Sequence, residues 1–258
     1  MNSFRLTVLI LLLLTTNSVF SQQNLNSQFT VVVDAGHGGK DPGNTGNGYL
    51  EKKIALSIAL KLGKKLEENS VKVVYTRKSD VFVNLFERAN IANRSNAQLF
   101  ISIHCDSHTS QAYGAGTFVL GLHANQRNFE VAKKENSVIF FEEDYINKYE
   151  GFDPNNPESV IGLTLMQEEY LDQSIVAASY IQNSFVNRLK RRNRTVKQAG
   201  FIVLKYTYMP SVLVETGFLT NNSEGAYLNS VRGQNEMADA IASAVIDYKN
   251  DFFQNLST

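Results

Sequence analysis

The chain has 258 residues, room for one large domain or two small ones. Its 25 basic and 25 acidic side chains cancel, which excludes a basic field for nucleic acid or for an anionic membrane surface. A single cysteine, Cys105, excludes an intramolecular disulfide framework, so the fold must rest on its core.

The first 21 residues read as a signal peptide. Arg5 precedes an apolar run, Leu6 to Leu14, and Ser18-Val19-Phe20-Ser21 then places small side chains before a cut at Gln22. A membrane anchor is the alternative, but the run is shorter than the roughly twenty residues that span a bilayer. Export is the expectation, with the mature domain at residues 28–258 and no membrane segment left in it.

Val31 to Val33 reads as a short buried strand that breaks into glycine where it delivers His37. The loop holding Gly38, Gly39, Asp41, Pro42, Gly43, Gly46 and Gly48 ends at Glu51, where Ile54, Ile58, Leu62 and Leu66 begin a helical stripe. Further buried strands are expected at Val71–Tyr75, Leu99–Ile103, Thr117–Leu120, Phe201–Leu204 and Val212–Val214, all too continuous in their apolar character for a one-sided sheet. Helices are expected around Leu85 to Ala92, from about Leu165 to Leu189, and from about Gln234 to Phe252. Alternating strands and helices indicate an α/β domain with a mostly parallel sheet. The basic cluster Lys190 to Arg194, after a helix, reads as a solvated face. Residues 142–162, EEDYINKYEGFDPNNPESVIG, fit neither pattern and read as a long insertion.

Three ionisable side chains each follow a different buried run: His37, His104 and Glu215. Ligands of an open α/β sheet gather outside the carboxyl ends of its strands, so these groups have a common place to meet. Two histidines and a carboxylate are a standard catalytic zinc set. The expected ligands are His37, Glu51 and His104, leaving Glu215 to carry a proton between water and a leaving amine. Each has a plainer reading alone: a histidine after a strand is commonly structural, and Glu51 suits the first turn of a helix electrostatically. Glu215 resists such a reading, because a buried carboxylate without a partner is costly. His108 and His123 read as loop residues, and Cys105 as a packing residue on the face of Ile101 and Ile103.

The blocks GHGGKDPGNTGNGYLEK, TRKSD with FERANIAN, LFISIHCDSH, GAGTFVLG and MPSVLVETGFLTN, in this order from Val31 to about Ile246, resemble the zinc-dependent N-acetylmuramoyl-L-alanine amidases of bacterial cell-wall metabolism. The resemblance implies a single α/β domain whose twisted, mostly parallel six-stranded sheet is covered by helices on both faces. It implies one Zn2+ on His37, Glu51 and His104, with Glu215 catalytic, and Arg77, Asp80, Arg88 and Asn90 as structural positions. The implied reaction is hydrolysis of the amide between N-acetylmuramic acid and the L-alanine of the stem peptide, during wall remodelling or daughter-cell separation. The implied setting is the periplasm, the partner peptidoglycan, and the state a monomer. No separate wall-targeting domain is expected. Residues 142–162 fall where some relatives carry an element that blocks the site until an activator protein binds. One of Glu142, Glu143, Asp144, Glu150, Asp153 and Glu158 would then enter the site; a plain surface loop is the alternative. Two rival activities use similar residues: a zinc peptidase cutting within the stem peptide, and a module that holds wall fragments without cutting them.

Overall fold

A computed structural model describes residues 28–122, 125–160 and 168–256. The signal-peptide reading and His123 lie outside these residues, as does the expected start of a helix at Leu165. In chain order the elements are β1 (Thr30–Ala35), a two-residue pair β2 (Thr45–Gly46) and β3 (Tyr49–Leu50), α1 (Glu51–Glu68), β4 (Lys72–Tyr75), α2 (Leu85–Arg94), β5 (Leu99–Asp106) and β6 (Ala115–Leu120). There follow α3 (Gln126–Asn136), α4 (Tyr145–Lys148), α5 (Glu168–Leu189), β7 (Asn193–Ala199), α6 (Ile202–Lys205), β8 (Ser211–Phe218), α7 (Asn222–Asn229) and α8 (Val231–Leu256).

Six strands form one sheet in the order β4-β1-β5-β8-β6-β7. The β4, β1, β5 and β8 strands run parallel, while β6 lies antiparallel to β8 and parallel to β7. Two apolar layers sandwich it. Alternate side chains such as Val31, Val33, Leu99, Ile101, Ile103 and Val214 pack against α1, α5 and α8 through Ile58, Leu62, Phe185 and Ile241. The opposite set, Val32, Phe100, Phe118 and Leu213, packs beneath α2, α3 and α6. Each fully buried Leu, Ile or Phe contributes about 1.5–3 kcal/mol, which is why the short strands hold as a sheet. Among the described residues no helix is long and apolar enough to cross a membrane.

Two local expectations are corrected. Phe201–Leu204 is no strand: Phe201 precedes the one-turn helix Ile202–Lys205, fully buried on the second face. A short continuous apolar run fits a buried helix turn as well as a buried strand. The sixth strand is instead β7, whose sequence NRTVKQA is largely polar because it lies at the sheet edge. Two members of the basic cluster are engaged rather than solvated: Arg191 pairs with Glu224, and the Arg194 Nε donates to the Tyr113 carbonyl.

The sequence pattern also overlooks α3. Asn125 starts it by accepting a hydrogen bond from the Asn128 N–H. Asn128, Val131, Ala132 and Glu135, at spacings of three and four, form its buried face. The chain then continues over the same layer, burying Val138, Ile139, Tyr149 and Phe152. The start of the 142–162 segment is therefore fastened down: Glu142 accepts from the Tyr149 hydroxyl and pairs with Lys148, and Lys205 reaches Glu150.

Candidate metal centre

The site lies at the carboxyl end of β1 and β5, where the β1 chain turns away after Gly36. His37 takes a positive φ of 60°, unusual for a residue with a side chain. Two arginines hold that turn. Arg88 donates to the carbonyls of Ala35 and His37, and Arg77 to those of Ala35, Gly36 and Lys52. Arg88 also pairs with Asp34 at 2.7 Å, both side chains being buried. The glycine loop then caps α1 with its own backbone, since the Glu51 N–H meets the Asn44 carbonyl and the Lys52 N–H that of Pro42. Glycine is required at two contacts here. A Cβ at Gly36 would lie 2.4 Å from the His104 ring, and one at Gly43 would lie 2.5 Å from the His37 ring.

His37, Glu51, His104 and Glu135 are all buried, and one ligand atom from each lies within 4.8 Å of the others. The His37 Nε2 and His104 Nδ1 atoms are 3.2 Å apart. His37 Nε2 lies 3.1 Å from Glu51 Oε2 and 3.0 Å from Glu135 Oε2. His104 Nδ1 lies 3.1 Å from Glu51 Oε1 and 2.9 Å from Glu135 Oε2. Ligands about 2.0–2.1 Å from a tetrahedral zinc stand roughly 3.3 Å from one another, close to these separations.

The outer atoms of both imidazoles are spoken for. His37 Nδ1 meets Asp41 Oδ2 at 2.8 Å, so its N–H points to that acceptor and the Nε2 lone pair faces the cluster. The Ser102 hydroxyl donates to Asp34, and therefore accepts from His104 Nε2, turning the Nδ1 lone pair inward. Glu51 is held by backbone N–H groups, one oxygen by Cys105 and the other by Asn44. Glu135 Oε2 makes no aligned hydrogen bond despite its close neighbours. It approaches the same centre as the two lone pairs.

Electrostatics agree. Burial pushes the His104 imidazole down, but Glu135 and Glu51 outweigh it and raise its pKa to about 9. Burial likewise opposes, and Glu51 and Glu135 reverse, the shift of His37, which ends well above its ordinary value. The pocket is a negative well that holds either extra protons or a cation, and its donor set fits one zinc ion. Asp41→Ala should lower metal affinity about tenfold to a hundredfold, the usual effect of losing such an orienting partner. Competition against a chelator of known affinity measures this, and unchanged affinity would refute the orienting role.

Glu215 projects beside the cluster, in register with His104 on the neighbouring strand. It is buried, and neither of its oxygens has a hydrogen-bond partner. Burial, then the carboxylates of Asp106, Glu135 and Glu51, raise its pKa well above the usual carboxylate range. His108 turns to Ser110 and stays out of the cluster. Cys105 packs inward, its sulfur 3.2 Å from the Thr216 hydroxyl.

A well for one divalent ion, next to a carboxyl group poised to exchange a proton, equips a metal-dependent hydrolase. Residues 31–247 match the profile of the N-acetylmuramoyl-L-alanine amidases. The chain is 34% identical to the N-acetylmuramoyl-L-alanine amidase AmiA of Escherichia coli (strain K12) over 223 residues, 84% of this chain and 75% of that protein. It resembles the solved structure of the amidase AmiC2 of Nostoc punctiforme with a TM-score of 0.65 and 29% identity, covering 87% of this chain and 98% of the other. The CwlD amidase from Clostridioides difficile, solved in complex with the GerS lipoprotein, matches with a TM-score of 0.63 and 26% identity over 86% of this chain and 99% of that one.

The chain belongs to the N-acetylmuramoyl-L-alanine amidase family. It is a peptidoglycan hydrolase that cleaves the amide between N-acetylmuramic acid and L-alanine, and the setting of that substrate is extracytoplasmic. The six-stranded α/β fold expected from the resemblance is the one observed.

Proposed function

We propose that His37, Glu51 and His104 hold the zinc ion, that Glu215 is the acid–base group, and that Glu135 is a removable fourth ligand that keeps the enzyme at rest. When bound, zinc acts as a Lewis acid that lowers the pKa of a water and polarises the amide carbonyl. Glu215 accepts the proton of the attacking water and passes it to the departing L-alanine nitrogen. Its freedom from hydrogen bonds suits this task, because a carboxylate pinned by donors is a weaker base. Asp41 and Ser102 keep the imidazoles in their ligating tautomers.

The observation that carries the resting-state reading is the approach of Glu135 Oε2 to both imidazoles, at 3.0 and 2.9 Å, from a helix that covers the site. A substrate carbonyl needs the position that this oxygen takes. None of the acidic side chains described in 142–160 joins the cluster, so the inhibitory carboxylate precedes the segment that the sequence singles out. Residues 142–160 act on this reading as the strap that holds α3 in place. Phe140, Phe141 and Ile146 are exposed near it, which supports a partner protein that grips the strap and withdraws the helix. The CwlD–GerS pair is a precedent for an amidase with a protein partner. Export through the 1–21 segment, a periplasmic location, action as a monomer and a role in wall remodelling or daughter-cell separation complete the proposal.

Glu135→Ala should hydrolyse purified sacculi about tenfold to a thousandfold faster than the unmodified chain. This is the range set by an open minor state of about 0.1–10%. Release of sugar strands free of peptide, followed by mass spectrometry, measures both the rate and the bond cut. An unchanged or lower rate would remove Glu135 from the inhibitory role, and cuts confined to the peptide would oppose the bond assignment.

A further inference from the structure

Lys197 lies on β7 in register with Phe118 of β6, its ammonium 4.7 Å from the centre of that ring. Arg194, on the same strand, has its guanidinium 5.0 Å from the centre of the Phe218 ring, and its Nε donates to the Tyr113 carbonyl. Among the described residues no acceptor meets the Lys197 ammonium or the terminal nitrogens of Arg194, and no carboxylate forms an ion pair with either side chain. Both line a cavity of about 50 Å³ together with Glu215, Asp106, Gly116 and Arg127. That is room for a group of a few heavy atoms. Asp106 is already held by Arg127 at 2.7 Å. Glycine keeps the cavity open, since a Cβ at position 116 would lie 3.0 Å from both the Lys197 nitrogen and the Arg194 Cβ. The rings and the Tyr113 carbonyl thus fix two cations in place and leave their N–H groups unspent, as an incoming anion requires.

The order of the strands says which part of the substrate comes here. The metal cluster lies at the ends of β1 and β5, Glu215 follows on β8, and β6 and β7 lie beyond it. Glu215 delivers a proton to the departing nitrogen, so that nitrogen and all that is attached to it, the stem peptide, run on towards β6 and β7. Gly116 is in register with Glu215, so the way from the carboxyl to the two cations crosses a residue without a side chain. After L-alanine the stem continues with D-glutamate joined through its side-chain carboxyl. The first charge along the peptide is therefore a free α-carboxylate, one residue beyond the bond that breaks. In some walls an α-amide takes its place.

We propose that Arg194 and Lys197 form an anion subsite for the α-carboxylate of the second stem residue, and that the chain accordingly prefers D-glutamate to its α-amide at that position. The proposal rests on Glu215 protonating the departing nitrogen. With its Nε engaged, Arg194 has two terminal nitrogens to offer side by side to a carboxylate, and Lys197 adds a compact charge. An amide brings no charge and sets an NH2 group against these donors, leaving both cations unpaired. Both side chains belong to the sheet rather than to α3, so the subsite stays in place when that helix is withdrawn.

Two soluble glycan–peptide fragments that differ only in an α-carboxylate or α-carboxamide at the second stem residue test this on the zinc-loaded chain. The value of kcat/KM should be about tenfold to a hundredfold higher for the carboxylate, as charged hydrogen bonds are lost with the amide. The share of open enzyme multiplies both values and cancels in their ratio. Lys197→Met should lower kcat/KM on the carboxylate about tenfold, chiefly through KM, and leave the amide nearly unaffected; Lys197→Arg should restore the preference. Equal rates on the two fragments overturn the proposal. So does an equal loss on both in Lys197→Met, which would mark a structural lysine. A second measurement needs no turnover: L-alanyl-D-glutamate should bind about tenfold tighter than L-alanyl-D-isoglutamine by calorimetry. Equal affinity, or no binding of either dipeptide to the unmodified or the Glu135→Ala chain, defeats the subsite. If Glu215→Gln turns over as fast as the unmodified chain, the acid–base reading fails instead, and the dipeptide comparison still decides whether the anion is held.

Discussion

Glu215→Gln should lose about a hundredfold to ten-thousandfold in turnover on sacculi while binding as much zinc as the unmodified chain. The substitution keeps the size of the side chain and removes its ability to take up and return a proton. Metal content should hold because Glu215 lies outside the four-residue cluster, all of whose members keep their partners. Stability should hold as well. The amide fills the same space, and Glu215 has no hydrogen-bond partner to lose. The expected combination is an inactive protein with normal metal content and a melting temperature close to that of the unmodified chain. Near-normal turnover would end the acid–base assignment. Loss of the metal would instead make Glu215 part of the binding site.

Arg88→Ala should destabilise the fold by about 3–5 kcal/mol, the usual result of stranding a buried charge. The guanidinium meets Asp34, the carbonyls of Ala35 and His37 and that of Val83, so one truncation removes four hydrogen bonds. Arg88→Lys should recover little, because a single ammonium cannot span that fork of acceptors. The pH dependence carries its own signature. Burial pushes the Asp34 carboxyl up, but Arg88, Ser102 and Thr76 outweigh it and hold its pKa below the usual range. A group depressed on folding stabilises above its unfolded pKa, about 3.9 for aspartate, and that contribution is lost as pH falls through the folded pKa. Without Arg88 the carboxyl loses its main counter-charge, so the penalty should be larger at pH 7 than at pH 4. Urea unfolding at the two pH values measures the difference. A loss below about 1 kcal/mol, the same at both, would mean that the arginine is dispensable. The effect should reach the metal too, since Arg88 holds the carbonyl of His37 in its positive-φ turn.

Much of this centre could be read from the order of residues. His37, His104 and Glu215 each follow a continuous apolar run, and strand ends on one edge of a sheet have few places to go. Glu51 was legible because a helical stripe begins at the same point. Other parts were hidden for physical reasons. Glu135 sits in a run, AKKEN, that reads as an exposed charged surface; only the spacing from Asn128 through Val131 and Ala132 places it inward. Asp41, Ser102 and Asp34 act on the histidines through hydrogen bonds that no periodicity encodes. The β7 strand escaped notice because an edge has one neighbour and little need of apolar side chains. Phe201–Leu204 misled for the reverse reason, being apolar on every side because it is buried as one helical turn.

That same border strand has a consequence for solubility. Between its pairings with Ala115 and Thr117, β7 advances from Asn193 to Val196, one residue more than its neighbour, and Thr195 takes a φ of 64°. The resulting kink, together with Arg194, makes a poor template for a newcomer's hydrogen bonds. An irregular, cationic rim lets a sheet end in solvent without recruiting another chain into fibrils or aggregates.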